Sequence, residues 1–333
     1  MDEDALLLLK SVISPFAGSS NGIKFTKRLY LLARLNGIPL TYLSNVQREG
    51  IPKKEYMHLL HKHLNHFERL VNNIIEISEL LADFNHCLIK TLRPYPEDTA
   101  DIDILNLGSD EDYGKIVNVF RKVGCQIEGQ GPHSTGVKLP SGIIVDIYNE
   151  VSANRLVYLD KRKLLNYTKW IKLRGTYVKT LMPEADLLLL IAHSAIKENY
   201  TLANFLTALH HFHNGGKKFI DDFVSLVKEN SLSTATRWFL SISLLLYAEV
   251  CKVNERNISM ALSLLGSFYS GAWRSIKGKS FPPFTCDFIT LCQIFREKLS
   301  EPIFVRSIYD QLFHSIKSDK FLARMITYKL LNV

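Results

Sequence analysis

Two short apolar runs carry acids, the first of them at alternate positions, and this limits the fold more than any other feature of the 333-residue chain. In Ala100-Asp101-Ile102-Asp103-Ile104-Leu105 the period is two, the spacing of a β-strand, in which residues i and i+2 leave the same face. Asp101 and Asp103 therefore project together, while Ile102 and Ile104 enter a core on the other side. A second run, Ile143-Ile144-Val145-Asp146-Ile147-Tyr148, delivers a third carboxylate. Three carboxylates on two strands make a platform for divalent cations. Hard ions such as Mg²⁺ take oxygen ligands, and two ions roughly 3.5–4 Å apart steady the attacking and leaving oxygens of a phosphoryl transfer. An Asp-x-Asp pair alone also fits an exposed strand face whose acids are simply solvated; the strand context and the third acid weigh against that account.

The residues around these acids resemble a known family. Cys87-Leu88-Ile89-Lys90-Thr91, then Tyr95-Pro96, then Thr99-Ala100-Asp101-Ile102-Asp103-Ile104-Leu105 is similar to the strand, turn and strand of the nucleotidyltransferase superfamily that includes DNA polymerase beta. The nearest look is to archaeal and bacterial uncharacterised nucleotidyltransferases, toxin-like members among them. Gly124-Cys125, the turn Gly131-Pro132-His133, the acidic strand after Gly142, and Leu181-Met182-Pro183-Glu184-Ala185-Asp186 leading to His193 follow in the order those proteins show, across residues 86–215. One departure stands out. Where the superfamily carries a Gly-Ser or Gly-Gly pair after the first strand, this chain has Lys90-Thr91.

The resemblance implies transfer of a nucleoside monophosphate from a nucleoside triphosphate such as ATP to an acceptor hydroxyl, with pyrophosphate released. It implies that Asp101 and Asp103 ligate two Mg²⁺ ions, with Mn²⁺ as an alternative, and that Asp146 completes the second site and receives the hydroxyl proton. Lys90 then reaches a phosphate oxygen as a compact positive charge, and the Thr91 hydroxyl partly replaces the missing glycine amides. A solvated strand-end lysine is the plainer account of Lys90. Arg93 and Lys138 read as surface charges outside the site. RNA or protein is the favoured acceptor, with a toxin-antitoxin role among the implied settings. A small molecule such as an aminoglycoside is the runner-up, and a catalytically silent RNA-binding or scaffold protein is the alternative from another class.

Charge supports a polyanionic partner. Forty-one Lys and Arg against 33 Asp and Glu leave +8. Lys161-Arg162-Lys163 with Lys169, Lys172 and Arg174 follows the Asp146 strand, where an acceptor approaches, which favours RNA. From Trp273 onward ten basic residues (Arg274, Lys277, Lys279, Arg296, Lys298, Arg306, Lys317, Lys320, Arg324, Lys329) face five acidic ones. The aromatics among them, Phe281, Phe284, Phe304, Tyr309, Phe313 and Phe321, fall at helical spacing and so read as core beneath a basic solvated surface. The acidic start Met1-Asp2-Glu3-Asp4 is not the n-region of a signal peptide. The run from Trp238 to Ala248 is shorter than the roughly 18 residues of a membrane span. Five cysteines without a C-x-x-C pair suit reduced thiols. A cytoplasmic protein without membrane association is expected, and its oligomeric state is left open.

Three parts are expected, in an α+β fold with a mixed nucleotidyltransferase-type sheet backed by helices. Residues 1–84 read as helical. Leu60, Leu64, Phe67, Val71, Ile74 and Leu81 form the apolar stripe of a helix beginning after Pro52, with Lys53, Lys54, Glu55, Glu68 and Glu76 on its charged face. Its histidines 58, 61, 63 and 66 read as solvent-facing, since no carboxylate or thiol joins them at zinc-ligand spacing. Residues 85–182 hold the sheet, with strands at 87–91 and 101–107, a helix over 110–123 capped by Ser109 or Asp110, a hairpin near Gln126 and Val137, the Asp146 strand, and an edge strand at 178–181. Residues 183–333 return to helix. Pro183 opens one helix, with Glu184 and Asp186 complementing its dipole and His193 as a structural histidine. His210, His211 and His213 precede a stop at Asn214-Gly215-Gly216, placed to meet the last carbonyls.

Overall fold

Among the described residues four α-helices come first: α1 (Glu3–Ala17), α2 (Lys27–Leu35), α3 (Pro39–Arg48) and α4 (Met57–Leu80). The computed structural model describes residues 3–17, 24–51, 53–153, 155–197, 199–252, 255–277, 279 and 281–316. Pro52, Lys317, Lys320, Phe321, Arg324 and Lys329 lie outside them, as do the side chains of Lys53 and Phe313. Thr26 caps α2, its hydroxyl accepting from the Leu29 amide. Pro39 sits in the first turn of α3, where the missing N–H has no intrahelical partner to lose. α4 begins at Met57 and buries Leu60, Leu70, Val71, Ile74 and Ile77.

Two histidines of α4 overturn the expectation of a solvated row. His63 is buried, with Nε2 2.8 Å from the Tyr30 hydroxyl and Nδ1 2.6 Å from Asp98 Oδ2. His66 Nε2 lies 3.1 Å from the Thr99 carbonyl oxygen. This helix packs on the loop that leads into the acidic strand, and an imidazole bonds at both of its ends there. His58 and His61 are exposed.

The middle of the chain contributes β1 (His86–Ile89), β2 (Asp101–Asn106), α5 (Asp110–Lys122), β3 (Gln126–Gln130), β4 (Ser134–Lys138), β5 (Ile144–Tyr148), β6 (Val151–Ala153), β7 (Leu156–Leu159), α6 (Lys161–Leu164), β8 (Thr168–Leu173) and β9 (Thr176–Leu181). Seven strands form one mixed sheet in the order β3-β4-β5-β2-β1-β9-β8. β2 runs antiparallel to β1 and parallel to β5, and β1 runs parallel to β9. Ser109 caps α5 in a reciprocal box with Asp112. The expected edge at 178–181 lies inside the sheet instead, because β8 pairs along its outer side. β8 escapes a charge-based reading: the lysines in Lys169-Trp170-Ile171-Lys172 mask its alternation. The β6–β7 hairpin stands apart from the main sheet.

The sheet separates two cores. Ile102, Ile104, Val145 and Ile147 pack against α4 and α5. Cys87, Ile89, Leu105, Tyr148 and Leu181 face the opposite way, into the larger core of the helical part. That part comprises α7 (Pro183–Ile196), α8 (Leu202–Glu229), α9 (Ser233–Cys251), α10 (Arg256–Leu264), α11 (Ala272–Ile276), α12 (Phe288–Lys298) and α13 (Pro302–Ile316). The architecture is the expected α+β class. In α7, His193 is buried with Nδ1 2.9 Å from the Tyr158 hydroxyl. The expected stop at Gly215-Gly216 is a kink: Gly216 leaves helical geometry at φ +63°, and the helix resumes at once. A Cβ on Gly215 would sit 2.5 Å from the Phe219 ring, which explains the first glycine. Among the described residues no helix is long and apolar enough to cross a membrane.

Candidate active site

Asp103 has a partner on each side. Across the antiparallel ladder it faces Ile89, the last residue of β1; across the parallel ladder it faces Asp146. Asp101 stands two residues before it on the same face. The outcome is convergence: one carboxylate oxygen from each of Asp101, Asp103 and Asp146 lies within 4.8 Å of the other two. Among the described residues this is the one such group of three His, Cys, Asp or Glu side chains. Asp103 is buried, at 6% exposure, and the other two are half-buried. Gly136 faces Asp146 across the β4–β5 ladder, and a Cβ there would approach Asp146 Oδ1 to 3.2 Å, so the glycine leaves room for the carboxylate.

The donor set suits a hard divalent ion. Opposite ligands of an octahedral Mg²⁺ stand at most about 4.2 Å apart. Oxygens separated by up to 4.8 Å fit one ion after a small side-chain rotation, or a bridged pair. Burial pushes the Asp146 carboxyl above the usual range, the neighbouring Asp103 adds to this, and Lys197 and Lys90 oppose it. Lys197, exposed at the end of α7, had no signal in the sequence that tied it to the acids.

Lys90 and Thr91 occupy the corner after β1, and they differ in what they offer. Lys90 Nζ lies 3.3 Å from Asp103 Oδ2 and 5.3 Å from the centre of the Tyr148 ring, so its charge is turned into the site. Thr91 is buried. Its hydroxyl donates to the Ile89 carbonyl and accepts from the Asp103 amide at 2.8 Å, so the donor expected to meet phosphate is already committed to fastening β1 to β2. No helix begins after Lys90-Thr91, and the chain runs as a loop to Asp101. The backbone N–H of Lys90 donates to Asp186 Oδ1 at 3.2 Å. Burial raises the Asp186 carboxyl above its ordinary range, against the pull of Arg93 and the Lys90 N–H. Asp186 therefore anchors the corner, a role beyond the dipole partner its position suggested. Arg93 Nη1 donates to the Thr207 hydroxyl, and Lys138 pairs with Glu128.

The basic cluster expected beside the site is divided. Lys161 is buried and donates to the Gly108 carbonyl and Asn149 Oδ1. Arg162 pairs with Asp160, Lys163 with Glu301, and Arg174 with Glu68. Lys169 and Lys172 lie on β8.

No protein-family description matches the chain, and no curated protein matches it. Among solved structures it is similar to the crystal structure of an antigenic nucleotidyltransferase-like protein from Paracoccidioides brasiliensis, at 13% identity over 48% of this chain and 76% of that one, with a TM-score of 0.26. A superposition that loose assigns no role, and the chemistry rests on the acids and their surroundings.

Proposed function

We propose that this chain is a divalent-metal-dependent nucleotidyltransferase that moves a nucleoside monophosphate from a nucleoside triphosphate to a hydroxyl of an RNA or protein acceptor. The observation that carries the reading is the meeting of Asp101, Asp103 and Asp146 within 4.8 Å on two adjoining parallel strands. Asp101 and Asp103 would hold Mg²⁺ or Mn²⁺ together with Asp146. Bound ions would neutralise the triphosphate and lower the pKa of the acceptor hydroxyl. The acceptor oxygen bonds to the α-phosphorus, the bond from that phosphorus to the bridging oxygen breaks, and pyrophosphate leaves with the electron pair. The acceptor proton would pass to Asp146, which stands beside Asp103 across the parallel ladder. Lys90 carries the positive charge on the triphosphate side. Residues 85–182 form the catalytic unit in this reading, with the helices from 183 onward as the facing wall of the cleft.

One observation favours a silent protein on the same fold: the Lys90 ammonium already pairs with Asp103 in a corner without glycine. Incubation with each α-labelled triphosphate, Mn²⁺ or Mg²⁺, and total RNA or lysate separates the two. Label on RNA or protein, lost in Asp103→Asn, is expected. No labelled acceptor, together with triphosphate binding that Asp101→Ala leaves unchanged, would favour the silent reading.

A further inference from the structure

The β8–β9 hairpin forms the outer edge of the sheet. Its two-residue turn, Arg174-Gly175, has φ of +49° and +101°, the handedness that suits a tight hairpin. Arg174 ties the tip to α4 through Glu68 and Asn72. The register sets Trp170 opposite Lys179 and Lys172 opposite Tyr177. Directly paired residues and i, i+2 neighbours share a face, so these four project together. Ile171 and Val178 turn the other way, into the core under α4. Trp170 and Tyr177 are each 64% exposed. Lys179 Nζ lies 5.9 Å from the Trp170 ring centre and donates to Asn85 Oδ1 at 2.8 Å, a neutral acceptor that leaves the charge uncompensated.

We infer that this ring-and-lysine checkerboard is a docking surface for single-stranded nucleic acid, with bases stacked on Trp170 and Tyr177 and phosphates against Lys172 and Lys179. Packing gives no reason for two large aromatic rings to stand two-thirds bare on a ribbon pinned at its tip. A nucleotide chain alternates flat apolar base with anionic phosphate, and the surface alternates ring with cation. The stripe from Thr168 to Lys172 and from Tyr177 to Leu181 on this face contains no acid. A protein partner would ask for a centre depleted of charge; here each ring has a lysine directly across from it. On this side of the sheet Leu181 of β9 and Ile89 of β1 are buried in the helical core between the ribbon and the acids. β8 is three strands from β2, roughly 15 Å at the usual inter-strand spacing.

This surface names an acceptor class for the transferase reading and rests on it in that respect, but its test needs neither metal nor triphosphate. Fluorescence anisotropy of labelled 12-residue RNA and DNA oligonucleotides is followed with the full chain in EDTA. Binding is expected, weakened roughly 5- to 100-fold by Trp170→Ala and by Tyr177→Ala. Lys172→Gln should reduce the slope of log affinity against log salt by about 0.7. Trp273→Ala, which removes an exposed ring on α11, should bind as the parent does. Parental affinity in both Trp170→Ala and Tyr177→Ala overturns the inference. So does capture of phosphatidylserine vesicles that depends on Trp170 when neither oligonucleotide binds. If ribbon binding holds while no acceptor is labelled, the transferase reading fails alone.

Discussion

A side chain other than glycine rarely holds the left-handed region, yet Lys90 sits at φ +55°. The Thr91 amide donates to the Ile89 carbonyl at 2.6 Å, closing a three-residue γ-turn around it. Lys90 therefore holds a backbone conformation that glycine adopts without penalty. Asp186 holds the turn by its N–H, and Asp103 holds the ammonium. Two substitutions separate backbone from charge. Lys90→Gly and Lys90→Ala both lose the ammonium, but only glycine is relieved of the left-handed penalty. Lys90→Gly should be the more stable of the two by about 1 kcal/mol in urea unfolding. Both should bind Mn²⁺ roughly tenfold more tightly than the parent, since a positive charge beside the carboxylates is gone. Equal Mn²⁺ affinity in all three proteins would show that Lys90 does not govern the acid site. The acids themselves were readable because a two-residue period is local information. The turn at Lys90 and its Asp186 anchor join residues 96 positions apart, and no local pattern encodes that.

Among the elements, the loop between β1 and β2 is held by helices that the sequence had not connected to it. Glu97 accepts from the Leu40 and Thr41 amides and the Thr41 hydroxyl, so it caps α3 from 57 residues away, while Asp98 meets His63. Burial pushes the Glu97 carboxyl up to about 8. A carboxyl whose pKa is higher folded than unfolded contributes stability below its unfolded value near 4.5, and that stability is lost as pH rises through 8. His211 acts in the opposite sense: burial lowers it to about 4, so its contribution is lost as pH falls from 6.5 toward 4. Comparison of the parent with Glu97→Gln between pH 6.5 and 8 isolates the Glu97 contribution from that of other buried carboxyls such as Asp186. Melting temperature should fall there in the parent and fall less in Glu97→Gln; parallel slopes would refute the protonation of Glu97. Helix α5 and the β3–β4 hairpin were readable from caps, turns and apolar spacing, all local. β8 was not, because Lys169 and Lys172 hid its alternation. The Gly215-Gly216 kink read as a stop because a glycine pair breaks a helix wherever it sits, and only packing of the next segment shows that the helix resumes.

At the scale of the whole molecule, the changes of secondary structure near residues 84 and 182 do not coincide with breaks in the core. One apolar cluster runs from Leu8 and Leu9 of α1 through Ile89 of β1 to Phe239 of α9 and Ile294 of α12. Leu8, Leu9, Val12 and Ile13 of α1 are each at most 1% exposed. Burying four such side chains stabilises by roughly 6–12 kcal/mol as an upper bound, which is comparable to the whole stability of an ordinary domain. The first helix is thus part of what keeps the helices after residue 182 and the sheet together. Leu9→Ala should cost about 2–5 kcal/mol, and the cost should appear everywhere at once. Two probes test this in one urea titration: far-ultraviolet circular dichroism, dominated by the helices, and the fluorescence of Trp238, buried in α9, read in a Trp170→Phe, Trp273→Phe background. A third, Mn²⁺ binding at the acids, reports on the sheet. Coincident midpoints, shifted together by Leu9→Ala, are expected from a core that crosses both boundaries. If Mn²⁺ binding instead survives the loss of helix signal, the sheet folds alone, and 85–182 is a domain in the energetic sense as well as in the sense of its strands.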